Sequence, residues 1–162
     1  MEEVTDKDTV DYLNFLYQKS SDIRGRIIDH SIHVEMSLSN LLAEYFCSDN
    51  KKVGLCLSIV FNSGDLTFSS KVKILKTILD TAERELGIFY PKLIDNLESI
   101  RKTRNRVAHS KLDTSESFLK HKHTDRIQLK FYGEGETKQM TISDLCNLRP
   151  QRQIGKWNFI SD

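Results

Sequence analysis

The chain has 162 residues, 38% hydrophobic and 29% charged, with two prolines and seven glycines. This is enough for one buried core, too little for two full domains, and unlike a disordered or fibrous composition. The formal charge of +1 excludes a global field drawing the chain to nucleic acid or an anionic membrane, so any such partner must be held by a local patch.

Three cysteines, Cys47, Cys56 and Cys146, are odd in number and lack CxxC spacing. They read as free thiols in a reducing compartment. The acidic start, Met1 to Asp8, is the opposite of a secretory leader, and no apolar run approaches the length of a membrane span. The expectation is a cytoplasmic protein with no membrane partner.

In chain order, Val10, Leu13, Leu16 and Tyr17 predict a short helix over residues 8 to 18, ending near Ser20-Ser21, whose hydroxyls would cap the next helix. Ile23, Ile27, Val34, Leu38, Leu41, Leu42 and Tyr45 carry that helix to about Phe46. Val53, Cys56, Leu57, Val60 and Phe61 form a shorter apolar segment, closed by the turn-forming run Asn62-Ser63-Gly64-Asp65. Phe68, Val72, Leu75, Ile78, Leu79, Ala82 and Leu86 mark a further helix, with Thr67 or Ser69 as cap and Gly87 as stop. Pro91 suits the first turn of a last long helix, whose stripe is Leu93, Leu97, Ile100 and Val107.

Helical periodicity ends there. Lys111 to Asp125 reads as a polar loop, and Arg126 to Tyr132 and Thr137 to Ile142 alternate as two strands around Gly133-Glu134-Gly135-Glu136, a β-hairpin. Ser143-Asp144 can cap a short terminal helix through Leu145 and Leu148, and Ile154, Trp157, Phe159 and Ile160 form an apolar tail. The expected organisation is a helical bundle over residues 1–112, with the loop, hairpin and tail of residues 113–162 packed on the same domain.

The residues that carry chemistry lie near the end of the last helix. Asn105 and His109 are four apart and share a face, while Arg104 sits about 140° around an ideal helix from His109. A site using both therefore needs the helix to end near His109, or a second copy brought up across a two-fold axis. Histidine exchanges protons near neutral pH and serves as acid or base, and the planar fork of arginine suits a phosphoryl oxygen. The pair fits phosphodiester chemistry. Arg101, Lys102, Arg106 and Lys111 add local positive charge, readable either as an RNA-binding patch or as a solvated face that offsets the helix dipole.

The run Arg104-Asn105-Arg106-Val107-Ala108-His109 matches the RNxxxH form of the signature of the HEPN superfamily, which this chain resembles over about residues 8 to 112. The looser form, Arg and His with four to six residues between them, also fits Arg24 to His30 and Arg26 to His33. The resemblance implies a bundle of roughly four to five helices and a metal-independent endoribonuclease acting as a dimer, with no cofactor. His109 would then assist attack of the ribose 2'-hydroxyl or protonation of the 5'-oxygen. Arg104 would stabilise the phosphorane, and Asn105 would orient His109 or the phosphate. It further implies a toxin or phage-defence effector, with RNA as substrate and an antitoxin or regulatory protein as partner. The alternative is a noncatalytic HEPN-like module for dimerisation, regulation or nucleotide binding.

Other clusters carry less. Asp29, His30, His33 and Glu35 lack a second ligand pair for a metal and read as solvated residues or as the lining of a site. His121, His123 and Asp125 fall in the loop. Trp157 and Phe159 read as core or dimer packing.

Overall fold

The computed structural model describes residues 7–115, 119, 126–131 and 137–141. The protein is mainly helical, with α1 (Lys7–Phe46), α2 (Asn50–Cys56), α3 (Phe68–Thr81), α4 (Arg84–Phe89) and α5 (Leu93–Ala108). Three strands follow, β1 (Ser110–Leu112), β2 (Arg126–Phe131) and β3 (Thr137–Thr141). No described helix is long and apolar enough to cross a membrane. Two compact units divide the chain, one of Met1–Ile23 with Lys111–Asp162 and one of Arg24–Ser110.

The break expected at Ser20-Ser21 is absent, and α1 runs through it as a single helix. A cap requires the backbone to leave helical geometry, and neither proline nor glycine occurs between Lys7 and Arg24 to make it do so. Serine hydroxyls have another option inside a helix. Those of Ser31, Ser37 and Ser39 donate to the carbonyls of Ile27, His33 and Glu35 at 2.7, 2.9 and 3.0 Å, one turn back.

In the first unit Leu16, Ser20, Asp113, Ile127 and Leu129 are buried. Ile127 and Leu129 are two residues apart on β2, so one face of the strand is turned inward. The strand order is β1-β2-β3, with β2 antiparallel to β3 from Arg126↔Thr141 to Lys130↔Thr137. β1 falls at the start of the expected loop, because a strand of three residues is too short to show a period. The expected turn Gly133-Glu134-Gly135-Glu136, the expected terminal helix, the tail with Trp157 and Phe159, and His121, His123 and Asp125 lie outside the described residues.

The second unit holds a core of Leu38, Leu42 and Ala43 from α1, Phe61, four side chains of α3 (Phe68, Val72, Leu75, Ile78), and Leu97 of α5. α3 packs against both α4 and α5. The segment from Asn50 forms α2 and then a π-helical turn, Leu57–Phe61, which delivers Phe61 to the core. α3 starts where Thr67 caps it, its hydroxyl accepting from the Ser70 amide at 3.3 Å. Thr67→Ala is expected to cost about 1 kcal/mol, or about 2–4 °C in melting temperature, in a thermal melt.

The helix expected to run from Phe68 to Leu86 ends instead at Thr81, and Gly87 is not its stop. Gly87 lies inside α4, and a Cβ there would come within 3.4 Å of the Leu79 carbonyl oxygen. That is an ordinary contact, so Gly87 is a residue within α4 and not a helix stop. Pro91 also falls one position before the cap Lys92 and not inside the first turn of α5.

Cys47 and Cys56 are free thiols, both half-buried; Cys146 lies outside the described residues. Partial burial, then a hydrogen bond that the Cys56 thiol donates to Cys47 and the repulsion of the Cys47 charge, push the Cys56 thiol above its ordinary value. A raised thiol pKa means less thiolate at a given pH. Cys56 is therefore expected to react with iodoacetamide more slowly than a free peptide thiol at pH 8. The gap should close as the pH rises through the shifted value, read by mass spectrometry of the labelled peptide.

Candidate functional site

α5 sets the site. Arg101, Arg104 and Asn105 are spaced three and four residues apart, so they share one side of the helix, while Lys102 and Arg106 share another. The first three line a groove of about 570 Å³ whose other walls come from α1, the Asn62-Ser63-Gly64 turn and the start of α3. Lys102 and Arg106 border a separate cleft of about 360 Å³ together with Asp95 and Glu98, which dilute their positive charge. Lys111 belongs to the first unit and is exposed. The candidate cations are thus spread over different surroundings, and only Arg101 and Arg104 share a groove with Asn105.

Within the groove, charges are matched almost completely. Lys71 is 4% exposed, and its Nζ donates to Glu35 Oε1 at 2.9 Å. Two guanidinium nitrogens of Arg101, Nε and Nη2, donate to Glu98 Oε2 at 3.0 and 2.8 Å. Arg104 is different. Its Nη1 donates to Asn105 Oδ1 at 3.0 Å, a neutral acceptor, and among the described residues it has no carboxylate partner. A half-buried guanidinium in this state presents unspent donors and one net positive charge, which is what an anion requires.

His109 lies outside the groove lining. α5 ends at Ala108, and His109 is its C-cap, with φ −100° and ψ 7° and its amide donating to the Asn105 carbonyl at 3.2 Å. The side chain is exposed. Its neighbour Ser110 is buried, with its hydroxyl on the Val107 carbonyl at 2.8 Å and its carbonyl accepting from Arg24 Nη1 at 3.2 Å. The backbone on both sides of His109 is therefore held while the imidazole faces solvent. Arg24, one of the arginines of the looser motif, contributes by pinning this helix end.

The cluster at 29 to 35 separates into local pairs. His33 Nε2 is 3.7 Å from Asp29 in an exposed pair, and His30 Nδ1 is 2.7 Å from the Arg26 carbonyl. Only Glu35 enters the groove. Among the described residues no group of three or more His, Cys, Asp or Glu gathers as a metal site. Lys71 was not singled out by sequence reasoning, although a signal existed. It stands one turn before Leu75 on the apolar stripe of α3, where a lysine must be paired or pulled out to water.

The chain matches no family model, no curated protein and no solved structure.

Proposed function

We propose that the protein is a cytoplasmic, metal-independent endoribonuclease of HEPN type, acting as a homodimer and serving as a toxin or defence effector. In this reading the described helices belong to a HEPN-like bundle, extended at the C-terminus by a β-hairpin, terminal helix and tail. The observation that carries it is Arg104, a half-buried guanidinium facing a groove without a carboxylate partner among the described residues, five positions before an exposed histidine whose backbone is fixed on both sides.

In the reaction, the 2'-hydroxyl oxygen attacks the neighbouring phosphorus and the bond to the 5'-oxygen breaks. One proton leaves the hydroxyl and one reaches the 5'-oxygen. His109 carries one of these transfers, and Arg104 compensates the charge on the pentacoordinate phosphorus. Because Arg104 and His109 of one chain lie in different surroundings, the completed site takes them from two protomers. Exposed apolar side chains supply area for such an interface, among them Ile88 and Phe89 of α4 at 77% and 75% exposure.

A second reading, a noncatalytic nucleotide-binding or regulatory module with an antitoxin-like or other protein partner, is favoured by the same separation of His109 from the groove. The two are distinguished by incubating RNA with the purified protein in excess chelator and identifying the ends. The ribonuclease reading expects 2',3'-cyclic phosphate and 5'-hydroxyl termini that the His109→Ala protein does not generate. Intact RNA, or equal cleavage by the variant, refutes it.

A further inference from the structure

The corner between α1 and α2 holds both free thiols of the described residues. α1 ends at Phe46, and the amide of the next residue, Cys47, bonds back to the Ala43 carbonyl at 3.0 Å. Asp49 then caps α2, its carboxylate accepting from the Lys51 amide at 2.9 Å, and Cys56 is the last residue of that helix. The corner brings the Cys56 thiol within hydrogen-bonding distance of Cys47, nine positions away in sequence. We infer that Cys47 and Cys56 form a thiol–disulfide exchange site, closed by low-molecular-weight disulfides into a reversible bond that clamps the turn walling the groove. The inference stands independently of the ribonuclease reading.

Three observations carry it. First, contact between two cysteines of one compact unit leaves a short approach to the ~2.0 Å separation of bonded sulfurs. Cys47 follows α1 and Cys56 closes α2, so both stand at helix ends, where the backbone adjusts without breaking a hydrogen-bond ladder. Second, both residues are half-buried, which leaves them accessible to a small disulfide, while Cys56 also packs on the core and would anchor the new bond there. Third, α2 leads directly into the π-helical turn Leu57–Phe61, whose Leu57 carbonyl accepts from the Asn62 amide at 2.8 Å. Phe61, Asn62, Ser63 and Gly64 line the groove. Such turns are rare and concentrate at functional sites, and this one begins at the residue after Cys56.

The Cys47 charge opposes ionisation of Cys56, so Cys47 supplies the attacking thiolate. Its sulfur attacks one sulfur of the small disulfide, whose S–S bond breaks, and one small thiol leaves a mixed disulfide on Cys47. The Cys56 thiol then loses its proton and attacks the Cys47 sulfur, expelling the second small thiol. Two protein thiols and one small disulfide become one protein disulfide and two small thiols, which carry the two protons away. In reducing surroundings the pair rests as thiols, and a bond formed there is transient.

The test uses the full chain with Cys146→Ser, kept dilute and incubated with oxidised glutathione. The expected product has lost two hydrogen masses, retains no glutathione, and yields a peptide joining Cys47 to Cys56. Reduced glutathione, without denaturant, should return it to the starting mass. Cys56→Ser should trap the glutathione adduct on Cys47, whereas Cys47→Ser should acquire its adduct on Cys56 at about a fifth of that rate or less. The bonded form should melt about 5 °C higher, since closing a short loop restricts the unfolded chain. Its amides at residues 57–64 should exchange with deuterium several-fold more slowly. Chains joined to one another, or a glutathione adduct that persists with both thiols present, overturn the inference. So does a Cys47–Cys56 bond that leaves exchange at 57–64 unchanged. None of these readouts uses RNA, so failure of the ribonuclease leaves the site standing, and failure of the site leaves the ribonuclease standing.

Discussion

Arg104→Ala and His109→Ala are each expected to lower RNA cleavage by about 10²–10⁴-fold, the range for losing a general acid or base or a group that stabilises transition-state charge. Both substitutions are structurally mild. His109 is exposed at the end of α5, and among the described residues the Arg104 side chain is hydrogen-bonded to the neighbouring Asn105 amide. Circular dichroism and melting temperature should therefore stay near wild type while activity falls. The double variant should be scarcely worse than either single one, because residues that act on one transition state do not contribute additively. Asn105→Ala removes the acceptor at 3.0 Å that holds the Arg104 guanidinium, and its loss should be smaller, about tenfold, since the charge remains. Initial rates on a labelled RNA in chelator, with melting curves on the same preparations, check all four. Full activity in either single variant removes that residue from the mechanism.

The second large effect is on stability. Glu35→Ala is expected to destabilise the fold by about 3 kcal/mol, the low end for breaking a buried ion pair by removing one partner. The lysine it abandons has only 6% of its side chain exposed, whereas Glu35 keeps 21% of its own in water, which places the cost at that low end. Lys71→Met in the same chain should recover most of the loss, since the double change removes the stranded charge along with the pair. Urea unfolding of the two single variants and the double variant gives the coupling directly. A cost under about 0.5 kcal/mol for Glu35→Ala would put the pair with exposed ones, which contribute little. The variant also has a functional signature. With Glu35 gone the groove holds a second uncompensated cation, so inorganic phosphate should bind more tightly even as the protein becomes less stable.

Much of this arrangement was legible in the sequence, because the helical stripes depend on local spacing. Leu38, Leu42, Phe68, Val72, Leu75, Ile78, Leu97 and Val107 were all readable as inward-facing, and all are buried. Punctuation was harder. Ser20-Ser21 and Gly87 both look like boundaries, yet each also fits inside a helix. A serine hydroxyl can bond one turn back, and a glycine can sit inside a helix, as Gly87 does in α4. Which use is made depends on what lies across the interface, and that is not local information.

The site divides along the same line. The four-residue spacing from Asn105 to His109 put those two on one helical face, yet α5 ends at Ala108 and only Asn105 lines the groove; an end of the helix near His109 was foreseeable from the loss of periodicity. The match of Lys71 to Glu35 was not, since it joins α3 to α1 across 36 positions of sequence. Nor could spacing on α5 show that Arg101 is already neutralised while Arg104 has no carboxylate partner among the described residues. That distinction turns a basic stretch into a groove with one net charge.

The central claim, that Arg104 of one protomer and His109 of another form one ribonuclease site, is tested most directly by mixing two inactive proteins. Arg104→Ala and His109→Ala chains, exchanged to equilibrium, form mixed dimers in which one of the two shared sites has both residues intact. Random pairing makes half the dimers mixed, with one working site of two, so cleavage should return to roughly a quarter of the wild-type rate. A mixture no more active than either protein alone, with exchange confirmed by differently tagged chains, contradicts the account.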